Sequence, residues 1–232
     1  MLGDLGKHLV RLGPRFPSTN LINRYLAWSQ LREVLQSKQI NCVLDVGANR
    51  GQFAGGLRRI GYKHWIVSFE PSPDDFAAMQ RARQGDRRWR GYAIALGGQR
   101  SVAPFNVSLE DSRLSSFLHR RDEPVQVVSV PIERLDEIFD EVLAGIPSPR
   151  VFLKMDTQGY DLEVVRGSSG CLDRIHGLLS EIAVEATYEK MPDYLESLKT
   201  YQDLGFSLRG LSEIAWSRTR GTVVEIDCLM IR

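Results

Sequence analysis

Acidic side chains stand beside glycine turns at two places in this sequence. The first is Asp45-Val46-Gly47-Ala48-Asn49-Arg50-Gly51, with Phe69-Glu70-Pro71 further on. Gly47 lets the backbone turn sharply and approach a ligand closely. Gly51 lets the following helix begin tight against the preceding strand, and that helix start carries unpaired N–H groups. A nicotinamide dinucleotide uses a turn of the same kind, stripped to G-x-G-x-x-G so that its pyrophosphate can rest on the helix end. That pattern needs glycine at 49 and 52, where this chain has Asn49 and Gln52. The fit is better for S-adenosylmethionine, a nucleoside without phosphate that needs acceptors for its ammonium group and an acid for its ribose. Asp45 can serve the amino-acid end, directly or through water. Glu70, ending a strand, is placed to accept from both ribose hydroxyls. Gly47, Asn49 and Gly51 make the turn, and Phe69 with the strand end around Ala95 flanks the adenine.

The second segment is Leu153-Lys154-Met155-Asp156-Thr157-Gln158-Gly159-Tyr160-Asp161-Leu162-Glu163. Lys154 and Asp156 are two apart on an extended run, so they share a face. That pairing reads either as a structural salt bridge or as a contact to substrate. Asp156 is the first candidate for a base or orienting group toward an acceptor hydroxyl, and Glu181 on the next strand is the second. His119 is a third, with a solvated surface histidine as its plainer reading. Ser115-Ser116 serves either as substrate contact or as turn-forming serine. Asp161 and Glu163 also read as acids favoured by a helix start.

These residues need a scaffold that brings strand ends together. Cys42–Val46 is a short apolar run closed by Gly47, and a helix over Gly51–Ile60 follows. His64–Phe69 is the next strand, then a helix over Pro73–Arg83, then a third strand over Gly91–Leu96. Strand–helix–strand units of this length imply a parallel sheet with helices on both faces. Residues 97–150 break the rhythm with alternating runs at Ala103–Leu109 and Val125–Val130 and a helix at Leu135–Leu143. They are expected to form an antiparallel flap. The parallel plan resumes at Val151–Asp156, with helices at 159–166 and 168–175, a strand at 178–184 and a helix from Asp193 to Leu204. Phe206–Leu211 and Val223–Ile231 close the chain as a strand pair. The expected fold is α/β: a Rossmann-like, class I methyltransferase sheet of seven mostly parallel strands, helices on both faces, and an antiparallel terminal hairpin. Residues 1–39 are expected to form a helical cover ahead of the domain at 40–232. That cover holds an amphipathic helix over 2–12, a break at Gly13-Pro14, and a second helix capped by Ser18 or Thr19.

Bulk properties narrow the function classes. The 232 residues suit one domain. Thirty basic and twenty-nine acidic residues leave a net charge of +1, so no overall field favours nucleic acid or an anionic membrane. The arginines at 81, 83, 87, 88 and 90 read first as a solvated helix end. The three cysteines lack zinc-ligand or redox spacing, and no apolar run is long enough to span a bilayer. A cytoplasmic protein is expected, free of nucleic acid and membrane insertion, with a small-molecule or glycan substrate, and with substrate selection or homodimer contact as the role of the N-terminal stretch. The asparagine-proline-proline-aromatic tetrad of base-nitrogen methylation is missing. A cofactor-binding module without turnover is the rival from another class.

The segments Val43–Phe53, Phe69–Pro73 and Leu153–Gly167 resemble the FkbM-type methyltransferase family. Glu181, Tyr188-Glu189, Leu204-Gly205-Phe206 and Asp227–Arg232 fall in the family's order. The resemblance covers roughly residues 40–232. It implies a class I fold, S-adenosylmethionine as methyl donor, and methylation of a hydroxyl on a sugar of a glycolipid or polysaccharide, or on a polyketide-type metabolite. It also implies a serine pair in the flap, here Ser115-Ser116. Gln158 and Asp161 stand where the family often has glutamate. Gln158 lowers the negative charge near the site, so no metal is expected.

Overall fold

The computed structural model describes residues 19–121, 123–217 and 219–232. The expected helix at 2–12, its Gly13-Pro14 break and the Ser18 cap lie outside them. In chain order the elements are α1 (Thr19–Ser37), β1 (Cys42–Val46), α2 (Gln52–Arg59), β2 (Trp65–Phe69), α3 (Pro73–Ala82), β3 (Trp89–Tyr92), β4 (Ala95–Leu96) and β5 (Ser101–Ser108). They continue with β6 (Val125–Glu133), α4 (Leu135–Leu143), β7 (Val151–Met155), α5 (Asp161–Arg166), β8 (Ile175–Ala183), α6 (Tyr194–Asp203), β9 (Ser207–Ser217) and β10 (Thr222–Ile231).

Seven strands form one sheet in the order β3-β2-β1-β7-β8-β10-β9. All neighbours are parallel except β10, which runs antiparallel to both β8 and β9. Every residue of the central strands β1 and β7 is buried, as expected for parallel strands covered on both faces. Cys42, Leu44 and Val46 pack with Phe139 of α4, Val164 of α5 and Tyr201 of α6. Val43 packs on the other face with Leu31 and Leu35 of α1 and Leu57 of α2. There, Trp28 of α1 stacks on Phe53 at 5.3 Å. No helix among the described residues is long and apolar enough to cross a membrane.

Three expectations about elements need correction. The run Gly91–Leu96 is not one strand. Parallel pairing ends at Phe69↔Tyr92, where β2 stops, and the chain then bends so that Ala95 pairs with Ile132 of β6. β4, β6 and β5 thus form a second, three-stranded sheet, which is the core of the flap. The helix expected at 168–175 is only a 3-10 turn, Leu172–Arg174. Ser168, Ser169 and Gly170 are poor helix formers, and the Ser168 hydroxyl donates to the carbonyl of Val164 instead. The first strand of the terminal pair runs on to Ser217.

Candidate active site

The carboxyl ends of β1, β2, β7 and β8 form a crest under the flap. At β1, Gly47 (φ +70°) and Asn49 (φ +47°) take left-handed backbone conformations. A Cβ built on Gly47 would stand 2.0 Å from the backbone oxygen of Asp156, so the turn tolerates only glycine there. The amides of Gly47 and Ala48 both donate to the carbonyl of Phe69, which ties the β1 turn to the end of β2. Glu70 is buried beside this turn. One of its oxygens accepts from the Asn49 amide at 2.7 Å and the other from the Ser72 amide at 2.8 Å. Burial pushes the Glu70 carboxyl up to about 7 against the opposing pull of these two bonds. Each oxygen keeps lone pairs for further donors.

Asp45 is fully buried and is flanked on both sides by its register partners, Ser68 of β2 and Lys154 of β7. The Lys154 ammonium lies 3.1 Å from Asp45, 3.5 Å from Asp156 and 3.1 Å from the carbonyl of Gly47. Burial alone would lower the lysine pKa, but Asp45 and Asp156 reverse this and hold it above its ordinary value. Lys154 thus fastens the turn from below.

A cavity of about 460 Å³ opens above the crest, a volume typical of cofactor sites. Gly47, Asn49, Phe69, Glu70 and Ala95 line it, as do Lys154, Asp156 and Glu181. Asp45 and Gly51 do not line it. Asp45 lies beneath the lysine, and Gly51 caps α2 against Met79. The Asp156 side chain is 38% exposed. Glu181 is pushed well above the carboxylate range by burial and then by Asp156. Burial and Asp156 likewise push Asp227 up to about 7, and Asp227 is the register partner of Glu181. Glu225, two residues before it, lines the cavity as well.

The flap is pinned to both halves of the crest. Asn49 donates to the Ser112 hydroxyl at 3.0 Å, and Ser112 donates to Asp75 at 3.1 Å. The buried Ser116 hydroxyl donates to the carbonyl of Gln158 at 2.9 Å, so it fastens the flap without lining the cavity. Ser115 lines the cavity and accepts from the amide of Ser108. His119 is exposed and does not line the cavity; its carbonyl accepts from the amide of Glu189. Phe117 packs on Tyr160 at 4.7 Å and roofs the space.

Four residues here were not singled out as site residues from the sequence: Gln158, Tyr188, Glu225 and Asp227. The two β10 acids carried a legible signal, since acids two apart in an otherwise apolar strand share one face. Gln158 and Tyr188 stand in segments that resemble the family, but their part here lies in contacts between distant segments, which the sequence does not show. Among the described residues no group of three or more His, Cys, Asp or Glu side chains has the geometry to hold a metal ion.

Comparison with known proteins agrees with this architecture. The chain is 27% identical over 153 residues to the hexuronic acid methyltransferase AglP of Haloferax volcanii, an alignment covering 66% of this chain. It spans about 60% of that relative's length. A Leishmania major S-adenosylmethionine-dependent methyltransferase superposes with a TM-score of 0.51 at 9% identity, covering 92% of this chain and 74% of that one. The methyltransferase domain of the bacterial CtHen1 superposes with a TM-score of 0.50 at 10% identity, covering 90% of this chain and all of that one. At such identities the likeness concerns the fold alone, which is that of the class I methyltransferases. The family model named methyltransferase FkbM domain matches residues 45–208, from the aspartate of the first turn to the start of β9. The chain therefore belongs to the FkbM family of methyltransferase domains.

Proposed function

We propose that the protein transfers the methyl group of S-adenosylmethionine to a hydroxyl oxygen of a sugar. The observation that carries this reading is Glu70 bonded to the left-handed turn at Gly47–Asn49 in the wall of a cavity that Asp156 and Glu181 also line. The residues present suit the donor. Glu70 has free lone pairs at the cavity wall for two ribose hydroxyls. Phe69 and Ala95 supply apolar flanks for a base, and no stripped glycine loop awaits a pyrophosphate. When bound, S-adenosylmethionine supplies a methyl on a sulfonium: the C–S bond breaks with its electron pair going to sulfur, and the C–O bond forms.

The chain's own residues then have three tasks. Glu70 and the 47–49 turn orient the donor. The flap, through Phe117 and the Ser112–Leu114 turn, keeps water out. Asp156, with Glu181 beside it, receives the proton of the acceptor hydroxyl. Burial and the neighbouring Asp156 raise the Glu181 carboxyl well above its ordinary value, which makes it the stronger proton acceptor of the two. His119 is left out because it is exposed and off the cavity wall.

The sugar acceptor draws support from the likeness to a hexuronic acid methyltransferase and from the several carboxylates available to accept from a polyhydroxy ring. The test is incubation with methyl-labelled S-adenosylmethionine and separate panels of methyl hexosides, methyl hexuronosides and polyketide-type alcohols, with mass detection of the methyl ether. Transfer to a glycoside hydroxyl is expected. Transfer only to the polyketide-type alcohols would overturn the sugar reading.

A further inference from the structure

Between the two carboxylates of the acidic wall stands one neutral side chain. The Gln158 amide nitrogen donates to Asp156 Oδ1 at 3.1 Å and to Glu181 Oε1 at 2.8 Å, which uses both of its hydrogens. Its carbonyl oxygen lies 3.1 Å from the Tyr188 hydroxyl, which is also 2.8 Å from the carbonyl of Leu114 in the flap. The amide has only one workable direction. Reversed, it would present its oxygen to two carboxylate acceptors and leave both without a donor from this residue. The backbone is held as firmly. Gln158 sits at φ +53°, a conformation costly for a residue with a side chain. It is kept there by the Ser116 hydroxyl on its carbonyl and by Asp161, which accepts from both the amide and the hydroxyl of Thr157 next door.

We propose that Gln158 is a positioning residue whose side-chain amide joins Asp156 and Glu181 into one proton-accepting unit and fixes the lone pairs they turn toward the acceptor hydroxyl. The inference rests on the reading of Asp156 and Glu181 as the base. Two carboxylates that share one nitrogen donor repel, so without it they would rotate apart or one would take up a proton. Two hydrogens from one rigid amide hold both in place. Other charges face this unit from every side. Lys154 stands beside Asp156 on β7, with Asp45 behind it on β1. Asp161 lies on α5, and Glu225 and Asp227 on β10. Arg113 of the flap acts on Asp156, and Arg120 on Glu225.

The experiment compares the wild type with Gln158→Leu, which keeps the bulk and removes both donors, and with Tyr188→Phe, which leaves the donors but frees their direction. Glu181 is followed by carbon-13 carboxyl NMR titration of the full chain without ligand, its signal assigned by loss in Glu181→Gln. Gln158→Leu is expected to raise the Glu181 midpoint by about one pH unit, because a bond to the charged form is lost. Tyr188→Phe should move it the same way by less. Asp156→Asn should lower it. Turnover of Gln158→Leu on the best glycoside of the panel should fall about tenfold to a hundredfold. The low-pH limb of its rate profile should move upward with the midpoint, and the Kd for S-adenosylmethionine should stay within about threefold.

An unmoved midpoint in Gln158→Leu overturns the proposal, even if turnover falls, because a loop that merely collapsed would weaken donor binding and stability without retitrating Glu181. The base reading fails separately, if Asp156→Asn and Glu181→Gln both turn over like the wild type. A wild type that methylates no glycoside at all leaves the titration to decide the amide's part by itself.

Discussion

Lowering the pH from 8 to 6 should weaken S-adenosylmethionine binding about tenfold, and Glu70 should be the cause. Its carboxyl is buried, accepts one backbone amide on each oxygen, and titrates at about 7 without ligand. Two ribose hydroxyls donating to it favour its charged form, so its pKa falls when the nucleoside binds. A group that must be ionised to bind gives its full contribution above the unliganded pKa and loses it as the pH falls through that value. With a midpoint at about 7, the ionised fraction drops from roughly nine-tenths at pH 8 to roughly one-tenth at pH 6, or about 1.4 kcal/mol of binding. Calorimetric titration of the wild type and Glu70→Gln at both pH values reads the effect. The variant should bind about ten- to a hundredfold more weakly at pH 8, having lost charge-assisted bonds, and should show little change between pH 8 and 6. Asp227 also titrates at about 7, but it is present in both proteins, so the difference between them isolates Glu70. A pH slope of equal size in Glu70→Gln would refute this reasoning.

Other consequences follow from the same geometry. Asp156→Asn should cut methyl transfer by about a hundredfold or more with donor affinity within threefold by titration; unchanged turnover would remove Asp156 from the mechanism. Lys154→Met strands the fully buried Asp45 with only the Ser68 hydroxyl, 3.3 Å away. It should cost about 3–5 kcal/mol in urea unfolding, and the double variant Asp45→Asn/Lys154→Met should regain most of that. Gly47→Ala drives a methyl into the backbone of Asp156 at positive φ. A loss of about 3 kcal/mol or more is expected, or roughly 6–12 °C in Tm by calorimetry; a Tm within 2 °C of wild type, roughly the shift of a 1 kcal/mol loss, would contradict the packing described.

The crest was legible in the sequence because its signals are local. Gly47 and Gly51 punctuate an apolar run, and Glu70 ends another, so the strand–turn–helix frame and the acid beside it follow from neighbouring residues alone. What escaped depends on pairing between distant segments. Nothing near Asp45 shows that β7 will lie beside β1 in a register that sets Lys154 next to it, and so removes that aspartate from the cavity wall. Gly91–Leu96 has the composition of one strand. It divides because β2 ends at Phe69 and β6 offers Ala95 a partner in another sheet. Gln158 looked like a neutral replacement that merely reduced charge. Its two-carboxylate bridge exists only because β8 brings Glu181 alongside β7 and the segment after β8 returns Tyr188 to the flap.

The most direct test is the structure of this chain crystallised with S-adenosylhomocysteine. Both ribose hydroxyls should lie within hydrogen-bonding distance of Glu70, with the sulfur facing Asp156 and Glu181 across the cavity. A nucleoside seated elsewhere on the molecule, or the cavity beside Glu70 left empty at saturating concentration, would contradict the account at its root.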